Sequence, residues 1–278
     1  MPLNIFLLGV PRLEIDNQIV EVDTRKAVAI LAYMAIGEER PSRDFLATLL
    51  WPEFDQSRAR AALRRTLSAL RRDVGRGFFD ITRDAVAFSA TAEIWVDVID
   101  FQDKAEAGTI GELETAVDLF RDDFMVGFTL RDSPNFDEWQ YFQSEQLRRT
   151  FFGVLERLIG EFQARGEWDK AIGQARRWLA LDPLREEAHR TLMALLAWAG
   201  QRPQALRQYR DCVRILDEEL GVGPLPETTD LYHAIQENQL SPPQAVPTLP
   251  EAGAELTNAA ALQLASLKAY GSPDRCIY

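Results

Sequence analysis

The chain has 278 residues, of which 46% are hydrophobic, and its formal net charge is −12. This size and composition favour a folded protein of two domains. No apolar run reaches the ~20 residues that cross a bilayer, and the N-terminus lacks the basic start and cleavage region of a signal peptide, so we expect a cytoplasmic protein without membrane contact. Two cysteines (Cys212, Cys276) and two histidines (His189, His233) exclude a disulfide framework and disfavour a zinc site, and we expect neither metal nor cofactor.

The first hundred residues predict a small antiparallel sheet, three helices and a hairpin. Strand-like alternation runs from Leu3 to Val22, with a turn at Asp16-Asn17. Thr24 and Ser42 stand where helix N-caps are expected, and a second hairpin is predicted around Arg83-Asp84. This order is that of a winged helix, so we predict an α+β winged-helix DNA-binding domain over residues 1–100.

The third predicted helix, from Gln56 to Val74, concentrates positive charge. Residues 56–76 hold seven arginines and one acid, Asp73, within an acidic chain. Helical spacing places an apolar stripe on one face, formed by Ala59, Leu63, Thr66, Leu67, Leu70 and Val74. Most charged helix faces are simply solvated, but acids that could pair with these arginines are almost absent from the segment. We therefore interpret the helix as one that binds DNA.

The face opposite the apolar stripe supplies the predicted contacts. A major groove about 12 Å wide admits one helix, and guanidinium groups can bind guanine or phosphate in bidentate fashion. The residues predicted nearest the bases are Arg58, Ala61, Arg65 and Ser68. Arg64, Arg71 and Arg72 are predicted to hold phosphates, and Arg60 lies on the same flank. Thr24, Arg25 and Lys26, at a helix start, are predicted as a further phosphate contact. Arg83, at the hairpin tip, is predicted to contact the minor groove or the backbone.

Beyond residue 100 the pattern is almost wholly helical and contains an internal repeat. The positions Gly166, Trp168 and Ala171 match Gly200, Arg202 and Ala205 at an offset of 34 residues, and Leu155, Leu158 and Phe162 match His189, Leu192 and Leu196. Thirty-four residues is the period of tetratricopeptide helix pairs. We therefore predict an all-α tetratricopeptide-like domain over 101–240, followed by a Pro/Ala-rich linker and tail over 241–278.

No catalytic constellation is visible in the sequence. His189 is predicted to pack or to form hydrogen bonds, and no serine or cysteine nucleophile is tied to a histidine. There is no phosphate-binding loop of the Gly-x-x-x-x-Gly-Lys-Ser/Thr kind. The aromatic residues Trp139, Tyr141, Phe142, Phe151 and Phe152 could line a groove, but their helical spacing favours packing. We expect that the protein is not an enzyme.

Several strings together resemble the antibiotic-regulatory (SARP) class of bacterial activators. TRKAVAILAYMAI, RDFLATLLWPE and ALRRTLSALRRDVG are similar to the winged helix of that family, and LFRDDFMVGF, FDEWQYFQSEQLRR, LDPLREEAHRTLMALLAWAGQRPQALRQYR and LDEELGVGPLPETTDLYHAI to its bacterial transcriptional activator domain. The resemblance covers about residues 3–238. It implies a transcriptional activator that binds direct repeats of double-stranded promoter DNA, contacts RNA polymerase and oligomerises on DNA. We expect no receiver domain ahead of the winged helix, so the resemblance implies no phosphorylation switch.

One alternative belongs to another class of protein. The helical array could be a scaffold that binds a protein, with the arginine-rich helix contacting an acidic partner instead of DNA. This hypothesis explains the 34-residue repeat equally well. It gives little reason for the order of strands, helices and hairpin that precedes the array.

Overall fold

The computed structural model describes residues 2–37 and 40–241. The predicted linker and tail therefore lie outside the described residues, apart from Ser241. The chain opens with a sheet formed by β1 (Leu3–Phe6), β2 (Arg12–Ile15) and β3 (Gln18–Ile19), joined by a later strand, β6 (Ile94–Val96), in the order β3-β2-β1-β6. β1 pairs antiparallel with β2, as predicted, but parallel with β6, which the sequence pattern does not predict.

The turn between β2 and β3 confirms the predicted hairpin. Asp16 and Asn17 have φ values of 51° and 61°, the left-handed conformation that a two-residue hairpin turn requires at both positions. Short polar side chains tolerate this conformation better than other non-glycine residues. The strand that follows is shorter than predicted, because β3 ends at Ile19.

Three helices follow: α1 (Arg25–Ile36), α2 (Arg43–Leu50) and α3 (Gln56–Asp73). Both predicted N-caps are confirmed, since the hydroxyl groups of Thr24 and Ser42 each accept a hydrogen bond from the backbone N–H three residues ahead. The predicted core stripe of α3 is also confirmed: Leu63 and Leu70 are completely buried, and the remaining members are buried with them. The hairpin β4 (Phe79–Ile81) and β5 (Val86–Phe88) completes a winged helix.

The rest of the described chain contains seven helices. They are α4 (Asp97–Ala107), α5 (Ile110–Leu119), α6 (Pro134–Ala164), α7 (Trp168–Leu181), α8 (Glu186–Trp198), α9 (Arg202–Leu220) and α10 (Pro226–Gln236). The two repeat copies correspond to the end of α6 with α7, and to α8 with α9. Gly166 and Gly200 end the first helix of each pair with positive φ, and Ala171 and Ala205 are completely buried where the paired helices approach each other.

The two domains share one hydrophobic core. Leu8 forms an antiparallel bridge with Phe124, and the Tyr33 ring of α1 lies 4.9 Å from the Trp139 ring of α6. Asp97, which begins α4, is fully buried and accepts hydrogen bonds from the backbone N–H groups of Leu7 and Leu8 at 2.8–3.0 Å. The helical domain is therefore in direct contact with the domain that carries α3.

Candidate nucleic-acid interface

The outward face of α3 is the principal basic surface of the winged helix. Arg58, Arg60, Arg64, Arg65, Ser68 and Arg72 are exposed, and Ala61 and Arg71 are half-buried. Asp55 begins the helix by accepting a hydrogen bond from the backbone N–H of Arg58 at 3.0 Å. The buried stripe described above faces the opposite way, so packing against the core holds the arginine side toward solvent.

Acids pair with three of these arginines, which corrects the inference that such acids are almost absent. Arg60 forms a bidentate ion pair with Asp44 of α2, in which its Nε and Nη2 groups each donate to one carboxylate oxygen. Arg72 contacts Asp73 at 2.8 Å and Asp23 at 3.7 Å. Arg58 lies 3.5 Å from Asp55. The sequence inference was wrong because it counted only Asp73. It left out Asp55, just ahead of α3, and the acids Asp23 and Asp44 that folding brings to the helix.

The pair between Arg60 and Asp44 has an electrostatic consequence. The hydrogen bond to Asp44 raises the pKa of Arg60, and the same bond lowers the pKa of Asp44. Both side chains are about half exposed. Arg60 is thus already matched by an anion, which leaves its Nη1 group as the donor not used by the pair.

A basic cleft of about 750 Å³ lies between the C-terminal half of α3, the start of α2 and the hairpin β4–β5. We call it the arginine cleft. Its walls are formed by Arg43, Arg64, Arg71, Arg72 and Arg76 together with Leu67, Ser68 and Ile81. None of these lining residues is an acid.

Two cleft residues, Arg43 and Arg76, were missed by the sequence reasoning, which took its contacts only from α3, the start of α1 and the hairpin turn. The backbone N–H of Arg43 donates to the carbonyl of Asp84 at 2.8 Å, and its guanidinium donates to the carbonyl of Thr82 at 3.2 Å. Both acceptors belong to the hairpin turn that carries the exposed Arg83. The start of α2 therefore holds the turn in place beside the cleft.

The three residues of the predicted phosphate contact at the start of α1 have partners within the protein. Lys26 Nζ donates to the Leu50 carbonyl at 2.5 Å and to Asp132 at 2.7 Å, and its side chain is only 13% exposed. Arg25 Nε donates to the Thr129 carbonyl at 3.1 Å. The Thr24 hydroxyl is occupied by the helix cap. Lys26 and Arg25 thus connect the two domains and Thr24 caps α1. Lys26 is committed to the domain junction, and the contact of the exposed Thr24 and Arg25 with phosphate stays a prediction.

His189 has the structural role predicted for it. The ring is buried, with Nε2 2.9 Å from the Pro183 carbonyl and Nδ1 2.8 Å from the Gln208 side-chain nitrogen. A carbonyl can only accept, so Nε2 donates and Nδ1 accepts from the amide. Burial lowers the pKa of His189, which favours the neutral form of the ring.

The predicted aromatic packing is confirmed for Phe151 and Phe152, which are buried, but it is wrong for Tyr141 and Phe142, which are 62% and 57% exposed. Within the described residues, no group of three or more His, Cys, Asp or Glu side chains is placed to hold a metal ion. Across residues 2–37 and 40–241, no helix has both the length and the apolar character needed to cross a membrane.

Comparison with known proteins gives the family. The model of the bacterial transcriptional activator domain matches residues 97–236, half of the chain. The chain belongs to this family. Its relatives are regulators of the SARP type, as the sequence resemblance implies.

Regulatory protein AfsR of Streptomyces coelicolor is 30% identical over 267 residues, which is 93% of this chain and 26% of AfsR. Transcriptional regulatory protein EmbR of Mycobacterium bovis is 27% identical over 250 residues, 85% of this chain and 64% of EmbR. The chain thus spans about a quarter of one relative and under two thirds of the other.

A solved structure also matches the fold. It is Mycobacterium tuberculosis EmbR in complex with low affinity phosphopeptide, with a TM-score of 0.63 and 24% identity. The match covers 95% of this chain and 71% of that chain. The winged helix followed by a helical domain is therefore an arrangement that both proteins share.

Proposed function

We propose that this protein is a sequence-specific DNA-binding transcriptional regulator in which α3 enters the major groove. The carrying observation is the exposed arginine face of α3, held outward by its buried stripe and placed beside the hairpin turn. In this arrangement Arg65 and Ser68, with Ala61 one turn before Arg65, lie nearest the bases. Arg83 extends from the turn toward the neighbouring groove or backbone.

Arg65 is the arginine best suited to read a base. It is exposed in the middle of the outward face, and no carboxylate in the described part of the chain forms an ion pair with it. A guanidinium that is free of an internal partner can bind guanine O6 and N7 in bidentate fashion. The half-buried Ala61, one helical turn earlier, leaves room for the close approach of a base pair.

The relatives support activation as the regulatory outcome. The helical domain matches the bacterial transcriptional activator domain, and the two curated relatives are regulators. We propose that the protein binds direct repeats in promoter DNA as more than one copy and contacts RNA polymerase. A role on chromosomal DNA would place it in the cytoplasm, and the proposed activity involves no catalysis.

Selection of bound duplexes from a random DNA pool by the full-length protein tests the proposal. Near-physiological salt suppresses non-specific binding. We expect enrichment of a repeated motif. Failure of the folded protein to retain any duplex would refute DNA binding and favour the scaffold hypothesis, in which the arginine face contacts an acidic protein.

The variant Arg65→Ala tests the base contact. We expect a loss of about 1–3 kcal/mol on the selected duplex with little change on a random duplex, because a base contact is absent from random DNA. Arg207→Ala, an exposed arginine of α9, is the matched control. Equal affinities of the Arg65 variant and the control for the selected duplex would remove Arg65 from the interface.

A further inference from the structure

The charges of the arginine cleft are only partly balanced. Arg72 is paired with Asp73 and Asp23, and Arg43 donates to the Thr82 carbonyl, which is neutral. In the part of the chain that the structure describes, Arg64, Arg71 and Arg76 form no ion pair. An arginine cannot relieve repulsion by losing its proton, so these charges favour an anionic ligand.

Arg71 carries the more specific observation. Its Nε atom is buried and has no hydrogen-bond partner among the described residues. A buried donor without an acceptor is destabilising, and one that carries part of a positive charge is especially so. The Nε atom is closed to solvent, so an anion in the cleft would supply the missing acceptor once the Arg71 side chain turns toward it. The planar guanidinium group matches the spacing of two phosphate oxygens better than an ammonium group does.

The position of the cleft indicates which anion this is. One wall is α3, which the proposed function places in the major groove, and another wall includes Ile81 of the hairpin whose turn carries Arg83. When two adjacent elements enter neighbouring grooves, the phosphate strand that separates the grooves passes between them. The cleft occupies this place.

We propose that the arginine cleft is a phosphate-binding site with Arg71 as its central ligand, completed by Arg43 and Arg76, and that it holds one backbone phosphate of the bound DNA. This inference rests on the proposed function and adds to it. It separates Arg71 from Arg72, which the sequence pattern groups together, because Arg72 already has two acidic partners. It also adds Arg43 and Arg76, which lie outside α3.

The test compares wild type, Arg71→Gln and the control Arg207→Gln, all as the full chain. Each is titrated with the selected duplex and with a random duplex of the same length over a range of salt concentrations. Loss of one phosphate contact should weaken binding about tenfold on both duplexes and reduce the slope of log K against log salt by about 0.9. The control should bind as wild type does.

A neutral phosphate substitute locates the contact. Methylphosphonate is introduced at one backbone position of the selected duplex at a time. At one position wild type should lose about the same factor as Arg71→Gln loses, and the variant should be insensitive there. Sensitivity of the variant at every position where wild type is sensitive would overturn the assignment.

Two further outcomes distinguish a failure of the phosphate site from a failure of the proposed function. If wild type binds duplex and Arg71→Gln binds equally well, the phosphate site is refuted and the proposed function stands. If wild type binds no duplex, the proposed function fails, and inorganic pyrophosphate then probes the cleft alone. A rise in the melting temperature of wild type but not of Arg71→Gln would support a site for free phosphate, and no rise in either would refute the site.

The conservative variant Arg71→Lys guards against misfolding. It keeps the charge and removes the planar fork, so we expect weaker binding to both duplexes with an unchanged salt slope. Wild-type affinity of a folded Arg71→Lys protein would contradict the role of the guanidinium group. Melting temperatures of all variants are measured first.

Discussion

The carbonyl group of Leu50 joins the two domains, and removing its two side-chain donors should destabilise the protein cooperatively. Leu50 is completely buried at the end of α2, just ahead of the loop that leads into α3. Ser133 Oγ, from the helical domain, donates to its carbonyl at 2.7 Å, and Lys26 Nζ, from α1, donates at 2.5 Å. Each donor keeps the carbonyl paired when the other is absent.

The expected losses of stability follow from the fact that both donors share the Leu50 carbonyl. Ser133→Ala should lower the free energy of unfolding by about 1 kcal/mol, because one neutral hydrogen bond is lost while Lys26 still pairs the carbonyl. Lys26→Met, which preserves the length of the side chain, should cost about 1.5–3 kcal/mol, because the lost donor is charged. The double variant leaves a buried carbonyl without either donor, and its cost should exceed the sum of the single costs by about 1 kcal/mol.

The assay is urea unfolding of the full chain, followed by tryptophan fluorescence, for wild type, both single variants and the double variant. Ser57→Ala, at an exposed serine near the start of α3, is the control, and its free energy of unfolding should stay within about 0.5 kcal/mol of wild type. Additive costs in the double variant would refute the reasoning, since they would show that the two donors do not depend on a common acceptor.

Three further predictions concern titratable groups. Burial raises the pKa of the Asp97 carboxyl, so its contribution to stability is complete below about pH 4 and falls as the pH rises through the folded-state pKa. Asp97→Asn should remove this part of the pH dependence of the free energy of unfolding. Parallel curves of that free energy against pH for wild type and variant from pH 4 to 7 would contradict the prediction. Asp44→Ala releases Arg60, so binding to random duplex should tighten, and the slope of log K against log salt should steepen by up to about 0.9. An unchanged slope would mean that Arg60 reaches no phosphate. Burial raises the pKa of the Cys212 thiol to about 11, so the native thiol should not react with a disulfide reagent at pH 8. In a Cys276→Ser variant, which leaves Cys212 as the remaining cysteine, the reagent should react only after unfolding. Rapid reaction of the native protein would show that α9 opens.

The sheet shows which strand pairings a local sequence pattern can predict and which it cannot. The hairpin of β1 to β3 was predictable because alternation and the turn at Asp16-Asn17 are local signals, and the turn carries the conformation those residues favour. β6 is only three residues long, and its parallel partner lies some ninety residues earlier. β4 and β5 are equally short, but they were predictable because a turn joins them, whereas no local signal links β6 to β1.

For the interface too, the sequence predicted the local features and missed the contacts between separate elements. The spacing within α3 predicted which side faces the core, because residues three and four apart share a helix face regardless of what lies nearby. It did not predict that Arg60 pairs with Asp44, sixteen residues earlier, or that Lys26 contacts Asp132, 106 residues away. Each of these contacts depends on how separate elements pack.

By itself, the sequence determined the three helices and two hairpins of the winged helix, the N-caps Thr24 and Ser42, the arginine face of α3 and the 34-residue repeat, because all of these depend on spacing along a single helix or turn. Only the tertiary structure decided which arginines remain available to a ligand. Folding brings Asp23 and Asp44 to α3, commits Lys26 to the domain junction, and places Arg43 and Arg76 beside Arg71. The physical reason is that an ion pair forms between side chains a few ångströms apart in space, and the distance between them along the chain does not limit it.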